Sequence, residues 1–263
     1  MRSSFPTRGS GLLLAVLLAL STLGLVAAPA RAQADLSSGP TTLLISYRTT
    51  AANRPAFRHY LVDTMAPRLR AMEKAGRIAG FRILFSWYRQ PQVWDALLVL
   101  RFPGFEAVAN WNALEHDQPG GLDAAGLALA DPVATYNCDL EWSHDPDGVR
   151  DGEVYYLIPY QYREAGEYRA YVKGYVVPQF EGWMKAGALD GYGLLMNRYS
   201  VGTPWDSLFI LRYRDMDAFG RRQTVLDAVR DTLRTDPEWK AWSDKKAGIR
   251  TESENSIAEL IAH

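Results

Sequence analysis

The chain has 263 residues with 29 basic and 30 acidic side chains, a formal net charge of −1, and a single cysteine. These mixed charges argue against a nucleic-acid partner and against a polybasic membrane-binding surface. One cysteine excludes an internal disulfide, so the fold must be stabilised by its core and by the packing of its parts. We expect Cys138, in a strand-like alternating segment, to be a buried and inert thiol.

The N-terminus is typical of a bacterial Sec-type signal peptide. Arg2 and Arg8 precede an apolar run, Gly11 to Ala28, and two overlapping small-x-small cleavage patterns follow, ending at Ala32 and Ala34. An uncleaved membrane anchor is the alternative, because the apolar run is about long enough to span a bilayer. We expect cleavage after Ala32 or Ala34 and a periplasmic or secreted protein. The signal holds three arginines and no acid, so 26 basic and 30 acidic side chains would remain, a net charge of −4.

Apolar patterning after the signal predicts alternating strands and helices. Thr41–Tyr47 is β-branched and apolar, as in a strand. Apolar residues at helical spacing from Phe57 to Met72 predict a helix, which Gly76 ends by accepting the left-handed conformation. The later elements predicted in this half are a strand hairpin, a second helix and a closing strand: Phe81–Arg89 with Trp94–Phe102, Phe105–Leu114 and Thr135–Trp142.

This arrangement is duplicated along the chain. Phe57–Ala107 aligns with Tyr168–Ala218 at a constant offset of 111 residues without a gap, and 15 of the 51 pairs are identical. Pro67 and Pro178 lie at matched positions inside the first helix of each copy, where a proline costs ~3 kcal/mol. We expect a kink there, or a new helix with the proline in its first turn. Features found in both copies are expected to belong to the fold.

The element order in each copy predicts the fold class. Strand, helix, strand, strand, helix, strand is the ferredoxin-like unit, whose antiparallel sheet has helices on one face and is bare on the other. We predict an α+β fold in which two tandem ferredoxin-like βαββαβ units pack their antiparallel sheets face to face as an intrachain α/β barrel. The predicted boundaries are a signal peptide at 1–34, repeat 1 at 35–143, a polar linker at 144–153 and repeat 2 at 154–263.

Several short motifs, present in both copies, resemble a known superfamily. They are Pro67-x-Leu69, Gly76-x-x-x-Gly80-Phe81, Trp94 and Arg101-Phe102, with counterparts from Pro178 to Tyr213. The pattern resembles the dimeric α/β-barrel superfamily and is most similar to NIPSNAP-type, EthD-type and antibiotic-monooxygenase-type domains. The resemblance implies a barrel that usually forms between two chains, so a tandem repeat implies a monomer, with a homodimer still open. Its members include cofactor-free oxygenases, haem enzymes, isomerases and proteins without known chemistry, so the fold does not select an activity.

The four histidines do not predict a metal or haem site. None of them has the spacing of a metal-ligand pair, and none recurs at the 111-residue offset. The resemblance places His116 loosely where some haem-degrading relatives carry an axial ligand. Its neighbours are polar and instead favour a solvated histidine at a helix exit. We therefore expect no metal and no cofactor.

Strand alternation separates two faces in the strand that ends at Arg101. Ala96, Leu98, Leu100 and Phe102 form a wholly apolar face, which we expect to meet the helices. Arg101 would then lie on the face that lines the barrel, and Arg212 is its counterpart in the second copy. Two arginines could hold an anion by bidentate hydrogen bonds. Alternatively, they pair with carboxylates at the rim of the sheet.

Tyrosines are the third group of candidates. Tyr47, Tyr88, Tyr160 and Tyr199 lie on predicted strands, and a barrel lined by tyrosine would suit a flat or apolar ligand. Ordinary core and rim packing is the alternative, because tyrosine is common in strands.

The sequence therefore predicts an exported soluble protein that binds a small apolar or aromatic molecule between its two sheets. The predicted ligand-binding residues are Tyr47, Tyr88, Arg101, Tyr160, Tyr199 and Arg212. One alternative is a metal-free oxygenase or isomerase of the dimeric α/β-barrel type, and another is a non-catalytic interaction protein. We expect no nucleic-acid partner, and no membrane association after signal cleavage. A cavity below roughly 100 Å³ would favour the interaction protein, since ligand pockets usually measure ~300–1,000 Å³.

Overall fold

The computed structural model describes residues 39–91, 93–145, 148–150, 152–199, 202 and 204–263. The predicted signal peptide at 1–34 lies outside these residues. No helix in the described part of the chain is long and apolar enough to cross a membrane.

The described residues of the two repeats form nine strands and two sets of helices. Repeat 1 contains β1 (Thr41–Thr49), α1 (Arg54–Tyr60), a π-helical turn (Leu61–Met65), α2 (Ala66–Lys74), β2 (Gly80–Ser86), β3 (Ala96–Phe102), α3 (Phe105–Glu115), a 3₁₀ turn (Pro119–Gly121), α4 (Ala124–Leu127) and β4 (Ala130–His144). Repeat 2 contains β5 (Val154–Tyr162), α5 (Ala165–Tyr171), a π-helical turn (Val172–Val176), α6 (Val177–Lys185), β6 (Gly191–Asn197), β7 (Ser207–Tyr213), α7 (Met216–Gly220), α8 (Arg222–Leu233), α9 (Pro237–Ile249), β8 (Arg250–Glu252) and β9 (Ser256–Ala262).

The matched prolines, Pro67 and Pro178, lie in the first turn of α2 and α6, one of the two placements expected, and the helical backbone continues into them from the preceding turn without a break. Immediately before each proline the helix widens into a π-helical turn, in which the Ala66 N–H donates to the Leu61 carbonyl five residues back. The same widening precedes Pro178. A proline cannot donate a hydrogen bond and its ring would clash with the carbonyl four residues back, so the chain widens locally.

The strands close into a barrel. Within repeat 1 the order is β4-β1-β3-β2, and within repeat 2 it is β9-β5-β7-β6, which is the ferredoxin-like order in both. Strand β4 pairs with β6, and β2 pairs with β9, so the two sheets join at both edges. All strands except the short β8 thus form one ring of eight antiparallel strands. This confirms the α+β fold class and the intrachain barrel, and shows that the facing sheets are also hydrogen-bonded to each other.

Side-chain alternation divides the apolar core into three clusters. The outward-facing residues of β1, including Leu43, Ile45 and Tyr47, pack against the repeat 1 helices. An equivalent cluster lies beneath the repeat 2 helices. Leu44 on the opposite face of β1 packs in the barrel interior, together with Cys138. The Cys138 side chain is fully buried, and this burial raises the pKa of its thiol.

In each repeat an arginine near the end of one strand lies opposite the glycine that begins the neighbouring strand. Arg101 of β3 is opposite Gly80 of β2, and Arg212 of β7 is opposite Gly191 of β6. Arg101 donates to the carbonyl of Ala79 at 3.4 Å, and Arg212 donates to the carbonyl of Asp190 at 3.1 Å. In both repeats the guanidinium lies against the glycine that follows this carbonyl. A Cβ added at Gly191 would lie 3.0 Å from the Arg212 Nε. The repeated glycine therefore leaves room for the repeated arginine.

We expect Gly191→Ala to lower the free energy of unfolding by about 1–3 kcal/mol, the usual cost of overpacking a core. The added Cβ would lie 2.9 Å from the backbone oxygen of His144, which cannot move as a side chain could. Gly193→Ala is the matched control on the same strand, because its Cβ would meet only Leu140 at an ordinary 3.6 Å. Urea denaturation of both variants measures the difference. Equal midpoints would contradict this account of the glycine.

Candidate functional site

Two cavities of the barrel interior lie toward opposite ends of the barrel. The larger measures ≈ 460 Å³ and the smaller ≈ 150 Å³, and no described residue lines both. Many lining residues are counterparts from the two repeats, because the repeats are related by a rotation about the barrel axis. Trp94 and Trp205 line the larger cavity, and Arg101 and Arg212 line the smaller. Residues separated by 111 positions in the sequence thus come to one end of the barrel.

We call the larger space the tryptophan cavity. Four leucines line it from the barrel interior: Leu44, Leu97, Leu157 and Leu208. Leu97 and Leu208 are counterparts at the 111-residue offset, and Leu44 and Leu157 hold equivalent register positions, opposite Val99 and Ile210. Trp94, Trp205 and Tyr136 provide its aromatic walls. The rings of Tyr136 and Trp205 are tilted by 57° with their centroids 4.8 Å apart. Burial raises the pKa of the Tyr136 phenol, so that side chain is neutral at pH 7.

Few polar groups line the tryptophan cavity. Ser46 donates to the carbonyl of Ala134 at 3.3 Å, and Arg48 donates to that of Val93 at 3.3 Å. Within the described ranges, Arg48 forms no ion pair, and neither does the exposed Glu254 carboxylate that also lines this cavity. In the same part of the chain, the indole N–H groups of the two cavity tryptophans have no hydrogen-bond acceptor. These groups are available to orient a ligand.

Each cavity tryptophan precedes an aspartate that fixes its position. The Asp95 carboxylate accepts from the Thr49 backbone N–H at 3.0 Å and from the Arg54 Nε at 3.0 Å. In repeat 2 the Asp206 carboxylate accepts from the Tyr162 backbone N–H, also at 3.0 Å. The aspartate thereby ties the start of β3 or β7 to the end of the neighbouring strand. Its tryptophan is held at the mouth of the barrel.

We call the smaller space the arginine cavity, because Arg82, Arg101 and Arg212 line it together with Asp145. Arg212 is only 3% exposed and lies 3.1 Å from the Glu153 carboxylate and 2.5 Å from that of Asp145. Asp145 also accepts from Arg82 at 2.6 Å. The sequence left open that the two matched arginines pair with carboxylates instead of binding an anion. Arg212 forms such pairs.

The buried carboxylate in this network is Glu153. It is 1% exposed, and it also accepts from the Tyr155 hydroxyl at 3.0 Å. Burial raises the pKa of the Glu153 carboxyl, and the Arg212 guanidinium opposes that shift. Burial also raises the pKa of the Tyr155 phenol. Tyr155 is therefore a neutral donor to Glu153 at pH 7.

The structure does not bring the six predicted ligand-binding residues to one place. Only Arg101 and Arg212 come together, in the arginine cavity. Tyr47 and Tyr160 face the helices rather than the barrel interior, which corrects the expectation of a tyrosine-lined barrel. The Tyr47 hydroxyl donates to the carbonyl of Gly120 at 2.5 Å. The physical reason is strand alternation, which places these tyrosines on the same face as the helix-facing leucines and isoleucines.

Tyr88 and Tyr199 lie beyond the ends of β2 and β6 rather than on strands. They are 58% and 50% exposed and line neither barrel cavity. The pairing of β2 with β3 ends near Ser86, where the Asp95 carbonyl accepts from its backbone N–H. The predicted strands were therefore too long at this end. A ligand-binding role for the four tyrosines stays a prediction.

From the sequence we expected the matched Trp94 and Trp205 to belong only to the fold, because they occur in both copies. Their recurrence in both copies was the available indication of a shared site. Because a rotation about the barrel axis relates the repeats, a residue and its counterpart lie at the same end of the barrel. A repeated aromatic residue can therefore form two walls of one cavity. Alternation along the strand could not have identified them, because β3 and β7 begin only at Ala96 and Ser207.

A third cavity, of ≈ 170 Å³, lies between the sheet and helices of repeat 2. In repeat 1, the buried Trp111 side chain packs in the corresponding layer. The residue 111 positions later is Arg222, whose guanidinium lies 4.7 Å from the centroid of the Tyr156 ring. Tyr160 also lines this cavity.

The residues around these cavities do not fit a haem. His116 is exposed at the end of α3, and no histidine or cysteine lines any of the three cavities described above. In the part of the chain that the structure describes, no group of histidine, cysteine and carboxylate side chains could hold a metal ion.

The comparisons with known proteins concern the fold. No protein-family model matches this chain, and no curated protein matches it in sequence. A solved structure of a proposed monooxygenase from Fusobacterium nucleatum has a TM-score of 0.52 at 10% identity, with 85% of this chain and 93% of that chain covered. A proposed monooxygenase from Lactobacillus acidophilus gives 0.51 at 13% identity, with 84% and 93% covered. An anthrone oxidase-like protein gives 0.50 at 11% identity, with 85% and 91% covered.

These similarities, together with the strand order, show that the chain shares the α/β-barrel fold of these three structures. At such low identity they show the fold alone.

We expect Glu153→Gln to lower the free energy of unfolding by about 3 kcal/mol, because it leaves the buried Arg212 charge with one carboxylate fewer. Glu141→Gln is the control. Glu141 pairs with Arg169 at 2.9 Å near the surface, where a pair contributes ~1 kcal/mol or less. Thermal and urea denaturation of both variants provide the comparison. Equal losses would show that the buried network does not stabilise this end of the barrel.

Proposed function

We propose that the protein binds a small, flat apolar or aromatic molecule in the tryptophan cavity, between its two sheets. The observation that carries this proposal is the cavity of ≈ 460 Å³ walled by Trp94 and Trp205, one from each repeat. That volume lies within the ~300–1,000 Å³ typical of ligand pockets, and well above the value expected for a protein that acts only through a partner.

The lining chemistry favours a neutral ligand with one polar edge. A flat ring could stack on the tryptophans, and such contacts contribute ~0.5–1.5 kcal/mol each beyond the area they bury. The leucines would contact the apolar part of the molecule. Arg48 and Glu254 carry opposite charges and line the same cavity, so together they give no net preference for an ion. Indole N–H and serine hydroxyl groups would orient the polar edge.

The ligand-binding unit in this proposal is a single exported chain. Both repeats contribute to the cavity and both lie in one polypeptide, which supports a monomer that needs no second copy to complete the site. The N-terminal pattern of residues 1–34 supports export and cleavage. The finer likeness to NIPSNAP-type, EthD-type or antibiotic-monooxygenase-type domains is part of the proposal. It is supported by the repeated proline, glycine and tryptophan motifs.

A cofactor-free oxygenase that acts on an aromatic substrate in the same cavity is the second candidate. The names of three fold relatives favour it, since two are proposed monooxygenases and one is an anthrone oxidase-like protein. Both candidates use the tryptophan cavity. They differ in whether bound aromatic molecules consume oxygen.

We expect the purified protein to bind 1-naphthol with one site per chain and a negative heat-capacity change, the mark of buried apolar surface. Trp94→Ala should weaken this binding about tenfold, through lost stacking and apolar contact. Trp205→Phe should retain most of the affinity, because an aromatic ring remains. Isothermal titration calorimetry at two temperatures measures all three.

The control is Trp87→Ala. Trp87 packs against Phe219 with the ring centroids 6.1 Å apart, and it lines neither barrel cavity. Binding should be unchanged in this variant. Absence of saturable binding to the unmodified protein, or an equal loss in both alanine variants, would refute the proposal. Oxygen consumption during naphthol turnover, lost in Trp94→Ala, would select the oxygenase.

A further inference from the structure

The arginine cavity carries more positive than negative charge. Arg82, Arg101 and Arg212 reach it from three different strands, β2, β3 and β7. Among the described residues that line this cavity or lie directly behind Arg212, the carboxylates are those of Asp145 and Glu153. Within the described ranges, three guanidinium groups face two carboxylates, an excess of one positive charge.

The excess charge is that of Arg101. Its counterpart, Arg212, contacts both carboxylates, whereas Arg101 donates only to the Ala79 carbonyl at 3.4 Å and has no acidic partner within the described ranges. Arg101 is exposed at the cavity rim, so its guanidinium can approach a ligand without breaking an ion pair. The two matched arginines have therefore diverged. Arg212 is fixed by its ion pairs, whereas Arg101 has guanidinium N–H groups without an acidic acceptor within the described ranges.

A second observation concerns Arg212 itself. The side chain is 3% exposed, yet its Nε–H has no hydrogen-bond partner. A buried donor without a partner is uncommon in folded proteins and is unfavourable. Gly191, beside this nitrogen, also lines the cavity and presents no side chain to it. An acceptor atom that reached this nitrogen past Gly191 would meet this need.

The size and walls of the cavity define the molecule that would supply this acceptor. Its volume of ≈ 150 Å³ lies below the ~300–1,000 Å³ typical of pockets for larger ligands, so it suits a small molecule. Val99, Leu195 and Ile210 form apolar walls. A carboxylate matches the planar guanidinium fork, and a short hydrocarbon tail would contact these walls.

We propose that the arginine cavity is a second binding site, at the opposite end of the barrel from the tryptophan cavity, and that it takes a short-chain carboxylate. Arg101 binds the carboxylate head, and the Arg212 Nε–H donates to it. Asp145 and Glu153 hold Arg212 in place, and the tail lies against the apolar walls. This site is independent of the proposed aromatic ligand, since no residue lines both cavities.

The test uses propionate as the probe and the folded full-length mature protein. Calorimetry or saturation-transfer NMR should give one saturable site for propionate, and no saturable binding of the neutral isostere propionamide. Arg101→Gln should weaken propionate binding about tenfold or more, the effect of losing a hydrogen bond to a charged group. Arg101→Lys, which keeps the charge and loses the planar fork, should recover part of the affinity.

Two control variants each remove one positive charge outside the arginine cavity. They distinguish binding at a specific site from general electrostatic attraction of anions. Arg214→Gln removes an exposed charge just beyond β7, and Arg48→Gln removes one at the tryptophan cavity. Both should bind propionate as the unmodified protein does, as should Trp94→Ala, which tests the other site. The proposal is overturned if propionate does not bind saturably, if propionamide binds equally well, or if Arg214→Gln weakens binding as much as Arg101→Gln.

Discussion

The hydrogen bonds that join β4 to β6 and β2 to β9 are the constraint on which the rest of the molecule depends. A ferredoxin-like sheet alone has two edges with unpaired backbone groups and one bare apolar face. In this chain each repeat supplies the strand that completes the other's edge, with Cys138 opposite Asn197 at one seam and Ser86 opposite Ala258 at the other. The same pairing therefore satisfies the edges and encloses the bare faces.

Closure of the barrel also determines where function can be built. Once two related repeats face each other around one axis, inward-facing residues that match between the repeats come to the same end of the barrel. The matched tryptophans then become two walls of one cavity, and the matched arginines meet at the other end. Two matched repeats thus enclose distinct cavities at the two ends of the barrel, because the two ends of each strand carry different residues.

Divergence between the copies refines these sites. Arg212 became part of a buried ionic network with Asp145 and Glu153, while Arg101 retained free donors. In the helix layers, Trp111 is buried in repeat 1, whereas a small cavity lies between the sheet and the helices of repeat 2. The expectation that features present in both copies belong only to the fold was too simple. A repeated residue can serve both the fold and a shared site.

The sequence by itself determined what depends on local pattern. Neighbouring residues determine the order of elements and the helix-facing side of β3. They also determine that Pro67 and Pro178 lie in the first turn of their helices. Even α9, which we did not predict, has a local indication, since Asp236 caps its N-terminus and Pro237 follows. Only the tertiary structure decided which edges join, where each strand stops and which side chains surround a cavity. Those outcomes rest on pairings between residues far apart in the chain, such as Cys138 with Asn197, which no local pattern specifies.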